Sequence, residues 1–192
     1  MNTIQQTQWP LQPSDLFKFG PVIPVIVIND LAEALPLAKS LLAKGIKVLE
    51  ITLRTPVALE AIQLIRREVP EAVTGAGTVL NAGQLKKAEQ AGAQFALSPG
   101  LTPDLLLAGK KGNIPFIPGI SSVSELMIGL EYGYTHFKFF PAEAKGGVPA
   151  LKAFYGPFPD VRFCPTGGIN EENYRTYLDL PNVDCVGGSW LI

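Results

Sequence analysis

Val48-Leu49-Glu50-Ile51-Thr52-Leu53-Arg54 alternates side chain by side chain, and its reading decides the fold. In a strand, successive side chains point to opposite faces. Leu49, Ile51 and Leu53 therefore share one face, and Val48, Glu50, Thr52 and Arg54 share the other. In a closed barrel the apolar set faces an outer layer of helices and the polar set faces the interior. Glu50 then becomes an interior carboxylate, with Arg54 at the C-terminal mouth.

The surroundings of this run repeat one pattern. Strand-like runs at 22–28, 46–53, 72–79, 94–99, 114–118, 135–141, 161–166 and 184–191 alternate with helix-like segments at 31–44, 56–68, 82–91, 102–108, 123–132, 148–154 and 171–178. Asn29 or Asp30, Thr55 before Pro56, Asn81, Thr102 before Pro103, Ser122 and Asn170 stand where N-caps belong. Gly45, Gly92 and Gly133 stand where helices end. Such alternation predicts an α/β fold with a parallel sheet and helical crossovers. Eight strands at this spacing suit a (β/α)₈ TIM barrel. A doubly wound open sheet is the competitor, but no G-x-G-x-x-G follows the first strand, and polar residues recur at period two inside strands. The chain is short for a barrel, which typically takes about 250 residues. The eighth strand runs to the last residues, so the barrel is expected to lack its last outer helix in this chain. Residues 1–192 are expected to form a single domain, 1–20 being an N-terminal extension whose Leu16-Phe17-Lys18-Phe19 caps the barrel floor.

Bulk properties exclude several classes. The 192 residues are 47% hydrophobic, enough for a sizeable core, and 16 basic against 17 acidic residues give a net charge of -1. No block of like charge marks a nucleic-acid or membrane-surface partner. Cys164 and Cys185 lie in apolar runs without C-x-x-C spacing and read as reduced core thiols, so a cytoplasmic location is expected. Met1 to Trp9 is polar and Gln-rich, unlike a secretory signal. The apolar run 21–28 is too short to span a bilayer. With one histidine and no cluster of ligands, neither a metal nor another cofactor is expected.

Chemistry gathers at strand ends. His136-Phe137-Lys138-Phe139-Phe140-Pro141 holds a lone cation among apolar residues. An ammonium there is costly unless a counter-charge meets it. The neutral amine is a nucleophile whose natural partner is a carbonyl, giving a Schiff base. A strand-end lysine that snorkels into water is the bland alternative, as a self-satisfied Glu50–Arg54 pair is for the second strand. His136, Lys138 and Phe140 share a face, so Lys138 can meet Glu50 across a lumen with Phe140 walling the pocket above. Gly75-Ala76-Gly77-Thr78 brings a hydroxyl and close backbone approach to the same rim, unless the glycines only relieve packing. Thr166-Gly167-Gly168 and Gly187-Gly188-Ser189 end the seventh and eighth strands, where barrels commonly bind phosphate; a Gly-Gly pair also serves any tight turn.

Taken together, these motifs resemble the class I 2-keto-3-deoxy-6-phosphogluconate (KDPG) and 4-hydroxy-2-oxoglutarate (KHG) aldolase family over about residues 20–192. The likeness is carried by Pro24-Val25-Ile26, Val48 to Thr55, Gly75 to Leu80, Ser98-Pro99-Gly100, Ile117 to Ile120, Phe137 to Glu143, Phe163 to Ile169 and Gly187 to Trp190. The resemblance implies that Lys138 is the Schiff-base lysine and Glu50 the general acid/base. It implies that Arg54 and Thr78 bind the pyruvoyl carboxylate and that Pro99 and Phe140 wall the pocket. Thr166 would read the hydroxyl at the cleaved bond, and Gly167, Gly168 and Ser189 would form the phosphate end. It further implies a small-molecule keto-acid phosphate substrate, pyruvate as product and a homotrimeric assembly. The alternatives are a phosphate-binding barrel epimerase or isomerase, which needs no covalent lysine, and a non-catalytic oligomeric scaffold.

Overall fold

A computed structural model describes residues 9–192. Parallel strands and helices alternate along it. The strands are β1 (Val22–Ile26), β2 (Val48–Thr52), β3 (Val73–Gly77), β4 (Ala96–Leu97), β5 (Phe116–Ile117), β6 (Gly119–Ile120), β7 (His136–Phe139), β8 (Arg162–Pro165) and β9 (Val186–Gly188). β5 and β6 are two halves of one barrel strand. Pro118 parts them because it has no N–H for the ladder, while its carbonyl still accepts from Lys138 N at 2.9 Å. One sheet runs β5-β4-β3-β2-β1-β9 and the other β6-β7-β8. Parallel bridges Phe163↔Val183 and Thr166↔Gly187 join β8 to the β9 side and close the cylinder. The expected eightfold barrel is thus present, with shorter strands than the apolar runs suggested. After β9 the chain adds Ser189–Ile192 and no further helix.

The helices are α1 (Pro13–Phe17), α2 (Leu31–Ala43), α3 (Ala58–Glu68), α4 (Ala82–Gln90), α5 (Pro103–Lys111), α6 (Val123–Glu131), α7 (Gly147–Tyr155) and α8 (Tyr174–Leu178), with a 3₁₀ turn at Glu143–Lys145. Local sequence sets most of their starts. The side chains of Asp30, Asn81, Thr102 and Ser122 accept from the N–H of Ala32, Gln84, Leu105 and Glu125, contacts each worth about 1 kcal/mol. Gly45, Gly92 and Gly133 end α2, α4 and α6 at positive φ. Two expected caps are not made. α3 begins at Ala58 with no side-chain cap, because the Thr55 hydroxyl instead donates to Ile28 O at 2.6 Å and ties together the exits of β1 and β2. Asn170 accepts from Glu172 and Asn173 in a turn that precedes α8.

Two cores follow from the strand alternation. Outward residues such as Leu49, Ile51, Phe137, Phe139 and Phe163 pack with helix residues such as Ala61, Ile62, Ile65, Leu105 and Leu126. Inward residues of the lower barrel, Ile23, Val48, Phe95, Leu97, Ile117, Cys164 and Cys185, pack with Leu16 and Phe17. Each large apolar side chain fully buried there contributes about 1.5–3 kcal/mol. Burial pushes the Cys185 thiol up, with a hydrogen bond to Cys164 adding to the effect, and both cysteines are free.

Candidate active site

β2 and β7 stand on different sheets, and their inward charges meet across the lumen. Lys138 Nζ donates to Glu50 Oε1 at 2.9 Å, with the two side chains only 6% and 1% exposed. The pair exists because alternation aims Glu50 inward between Val48 and Thr52, and Lys138 inward between His136 and Phe140. Neither charge would be tolerated there alone. The Phe140 ring centroid lies 5.7 Å from Lys138 Nζ.

Glycines make the space. Gly77 pairs with Thr52 in register, and a Cβ on it would sit 2.1 Å from Glu50 Oε1. A Cβ on Gly187 would sit 2.3 Å from Thr166 Oγ1. Gly119 pairs with Lys138, and a Cβ there would meet the Pro99 carbonyl carbon at 2.4 Å. Buried Ser98 holds that approach, accepting from Gly119 N and donating to Gly100 O. Thr52 turns its hydroxyl onto Ile26 O at 2.9 Å.

The remaining expected residues lie just beyond the C-terminal ends of the strands. Thr166 is 5% exposed and lies one inward position above Cys164, the register partner of Lys138. Pro99 and Phe140 are half-buried, and Arg54 is exposed at the rim beyond β2. Thr78 follows Gly77 at φ +57, a left-handed conformation that costs a β-branched residue roughly 1–3 kcal/mol. Such strain clusters where function over-determines the backbone. Gly167 and Gly168 also take positive φ, and their carbonyls accept from Glu143 N and Asn173 Nδ2. Ser189 is exposed just past Gly188, whose missing side chain leaves room for the Trp190 ring.

Among the described residues, two cavities lie elsewhere, at the N-terminal ends of the strands. One of about 630 Å³ is bordered by Trp9, Lys110, Tyr134 and His136, and one of about 350 Å³ by Phe19, Val22, Lys47 and Leu191. Among the described residues no group of His, Cys, Asp and Glu is arranged to hold a metal.

Two features leave no local signal in the sequence. Gly119 lies in the run Ile117 to Ile120, where nothing marks it as the residue that admits Pro99. The Tyr177 hydroxyl donates to Glu143 Oε1, and a separation of 34 positions offers no local signal for that contact.

A family model described as KDPG and KHG aldolase matches residues 14–192. A 2-dehydro-3-deoxy-phosphogluconate aldolase of Pseudoalteromonas atlantica is 64% identical over 95% of this chain and 85% of that protein. A KHG/KDPG aldolase of Escherichia coli is 60% identical over 96% of this chain and 86% of that protein. A crystal structure of the Legionella pneumophila KDPG aldolase superposes with a TM-score of 0.95 at 60% identity, over 96% of this chain and 89% of that one. That crystal holds pyruvate captured as a covalent carbinolamine intermediate.

Proposed function

The chain belongs to the KDPG and KHG aldolase family, and we propose that it cleaves 2-keto-3-deoxy-6-phosphogluconate reversibly to pyruvate and glyceraldehyde 3-phosphate. 4-Hydroxy-2-oxoglutarate, cleaved to pyruvate and glyoxylate, is its second substrate. The protein is then a carbon–carbon lyase working through a Schiff base. The buried 2.9 Å contact between Lys138 Nζ and Glu50 Oε1 carries this function.

Passage of the shared proton from Nζ to Glu50 leaves a neutral amine, which adds to the C2 carbonyl of the substrate. Glu50 protonates the carbinolamine oxygen, water leaves, and an iminium forms on Lys138. Glu50, again a carboxylate, takes the proton of the C4 hydroxyl. The C3–C4 electron pair flows into the iminium, so an aldehyde departs and an enamine remains. Glu50 returns the proton to C3, and water releases pyruvate from the resulting imine. No free carbanion forms at any point, because the iminium is the electron sink. A single acid/base suffices because each step leaves Glu50 in the state the next requires.

We assign Arg54 and Thr78 to the pyruvoyl carboxylate, Pro99 and Phe140 to the walls, and Thr166 to the C4 hydroxyl. Gly167, Gly168 and Ser189 are assigned to the phosphate, supported by the left-handed turn at the end of β8. A homotrimer is the proposed assembly, supported by exposed Leu107, Val123 and Met127 on the neighbouring helices α5 and α6. The proposed compartment is the cytoplasm, supported by the free thiols. Among the described residues no helix is long and apolar enough to cross a membrane.

Borohydride reduction in the presence of pyruvate, followed by peptide mass spectrometry, tests the function. A reduced pyruvyl adduct is expected on the Lys138 peptide, and both the adduct and pyruvate release should vanish in Lys138→Ala. A folded parent protein that forms no adduct refutes the Schiff-base route.

A further inference from the structure

The turn that follows Lys138 is fastened to the phosphate end by contacts that the steps above do not use. Ala142 N donates to Thr166 O at 2.8 Å and Glu143 N to Gly167 O at 3.1 Å. The glutamate stem lies directly over Gly168, where a Cβ would fall 2.6 Å from Glu143 Cγ and 2.7 Å from Glu143 Cβ. A Cβ on Gly167 would likewise press on Pro141 Cα at 3.1 Å. The head of Glu143 is drawn the other way, to the hydroxyl of Tyr177, whose ring is 1% exposed and anchored in α8. From the opposite side, Asn173 Nδ2 donates to Gly168 O at 3.1 Å. The Gly167-Gly168 loop is therefore held between the Glu143 stem and Asn173.

Charge gives this clamp a second effect. Glu143 is a carboxylate beside the loop assigned to a phosphate dianion, and like charges repel there. While Tyr177 holds Oε1, the carboxylate is turned towards the start of α7, where a Cβ on Gly147 would lie 3.3 Å from it. Released, it could swing back over Gly168 and compete with an incoming phosphate.

We propose that Tyr177 and Glu143 are positioning residues that set the preference for phosphorylated over unphosphorylated substrates, an inference that rests on the aldolase function above. They touch neither Lys138 nor Glu50. Their effect is confined to the phosphate end.

Tyr177→Phe keeps the buried ring and removes only the hydroxyl. A hydrogen bond to a charged group commonly changes an equilibrium by at least about tenfold. The expected result is a KM for 2-keto-3-deoxy-6-phosphogluconate raised about tenfold, with weaker competitive inhibition by inorganic phosphate in the same measure. Cleavage of 4-hydroxy-2-oxoglutarate and borohydride trapping of pyruvate should stay within about twofold of the parent. Glu143→Gln retains an acceptor for Tyr177, removes the charge and should keep the parent's KM. Adding Glu143→Gln to Tyr177→Phe should recover much of the loss. Equal losses on both substrates, or no change on either, would overturn the proposal. A parent enzyme that traps no pyruvate would instead strike the aldolase reading, so the two failures are told apart.

Discussion

The lower and upper halves of the barrel are built from the same strands and filled by opposite means. Below, Phe95, Leu97, Ile117, Val48 and Ile23 close the interior against Leu16 and Phe17. Above, Gly77, Gly119 and Gly187 stand at inward positions, and the space they leave admits the carboxylate of Glu50, the backbone of Pro99 and the side chain of Thr166. β3 shows the contrast within one strand: Val73 packs against the floor, and Gly77 two inward positions later clears room for a charge. Bulk and charge are thus separated along the barrel axis. Large side chains fill one end, and the end that holds the Lys138–Glu50 pair is hollowed by their absence.

Substitutions can break that separation. Phe95→Ala should have the largest effect, costing about 3–5 kcal/mol of unfolding free energy through the cavity it leaves. Denaturant titration should register this while kcat of the folded fraction changes little. A collapse of kcat in that folded fraction would show that floor and site are one unit. Gly77→Ala should do the converse. Its methyl displaces the Glu50 carboxylate from Lys138, and a misplacement of that order costs about 100-fold in rate; unchanged turnover would mean the upper half is not sized to its charges. Thr78→Gly sharpens the comparison at the rim, since it relieves a left-handed threonine. It should raise stability by about 1 kcal/mol and, in losing the hydroxyl, lower kcat/KM on both substrates. Loss of stability on that change would mean the rim is not strained.

The smallest effect concerns pH at the floor, where His136 packs against the Phe17 ring at 5.7 Å. Burial holds its imidazole below the ordinary 6.5, and Arg162 lowers it further while Asp184 works in the opposite sense. Because the folded value is depressed, the unfolded chain binds the proton first. The stabilisation is full above about pH 6.5 and is lost as pH falls through the lower, folded value. Urea midpoints at pH 8 and pH 5 should therefore differ by less in His136→Gln than in the parent.

Much of this was legible from residues that carry period and charge together. Glu50 and Lys138 each stand on a strand face marked by alternation, so their meeting is expected from the sequence. The capping side chains of Asp30, Asn81, Thr102 and Ser122 announce helices for a similar local reason. Thr55 misled because a hydroxyl can satisfy a neighbouring strand's carbonyl as readily as a helix N–H. Gly119 and the Glu143–Tyr177 contact escaped because space and long-range pairing leave no trace in a short window. Pro118, by contrast, sits visibly in an apolar run, yet that it divides one strand between two ladders depends on where its neighbours' N–H groups point.

The Lys138–Glu50 bond also has a place in time. It spans 88 residues and links the six-stranded sheet to the three-stranded one. Contacts so distant along the chain return energy only after the entropy of closing the loop between them has been spent. A nascent chain that has reached β5 carries the acid of β2 but not yet the amine of β7. The buried charge pair is therefore complete only once the cylinder closes, and the bond between its members records that assembly is complete.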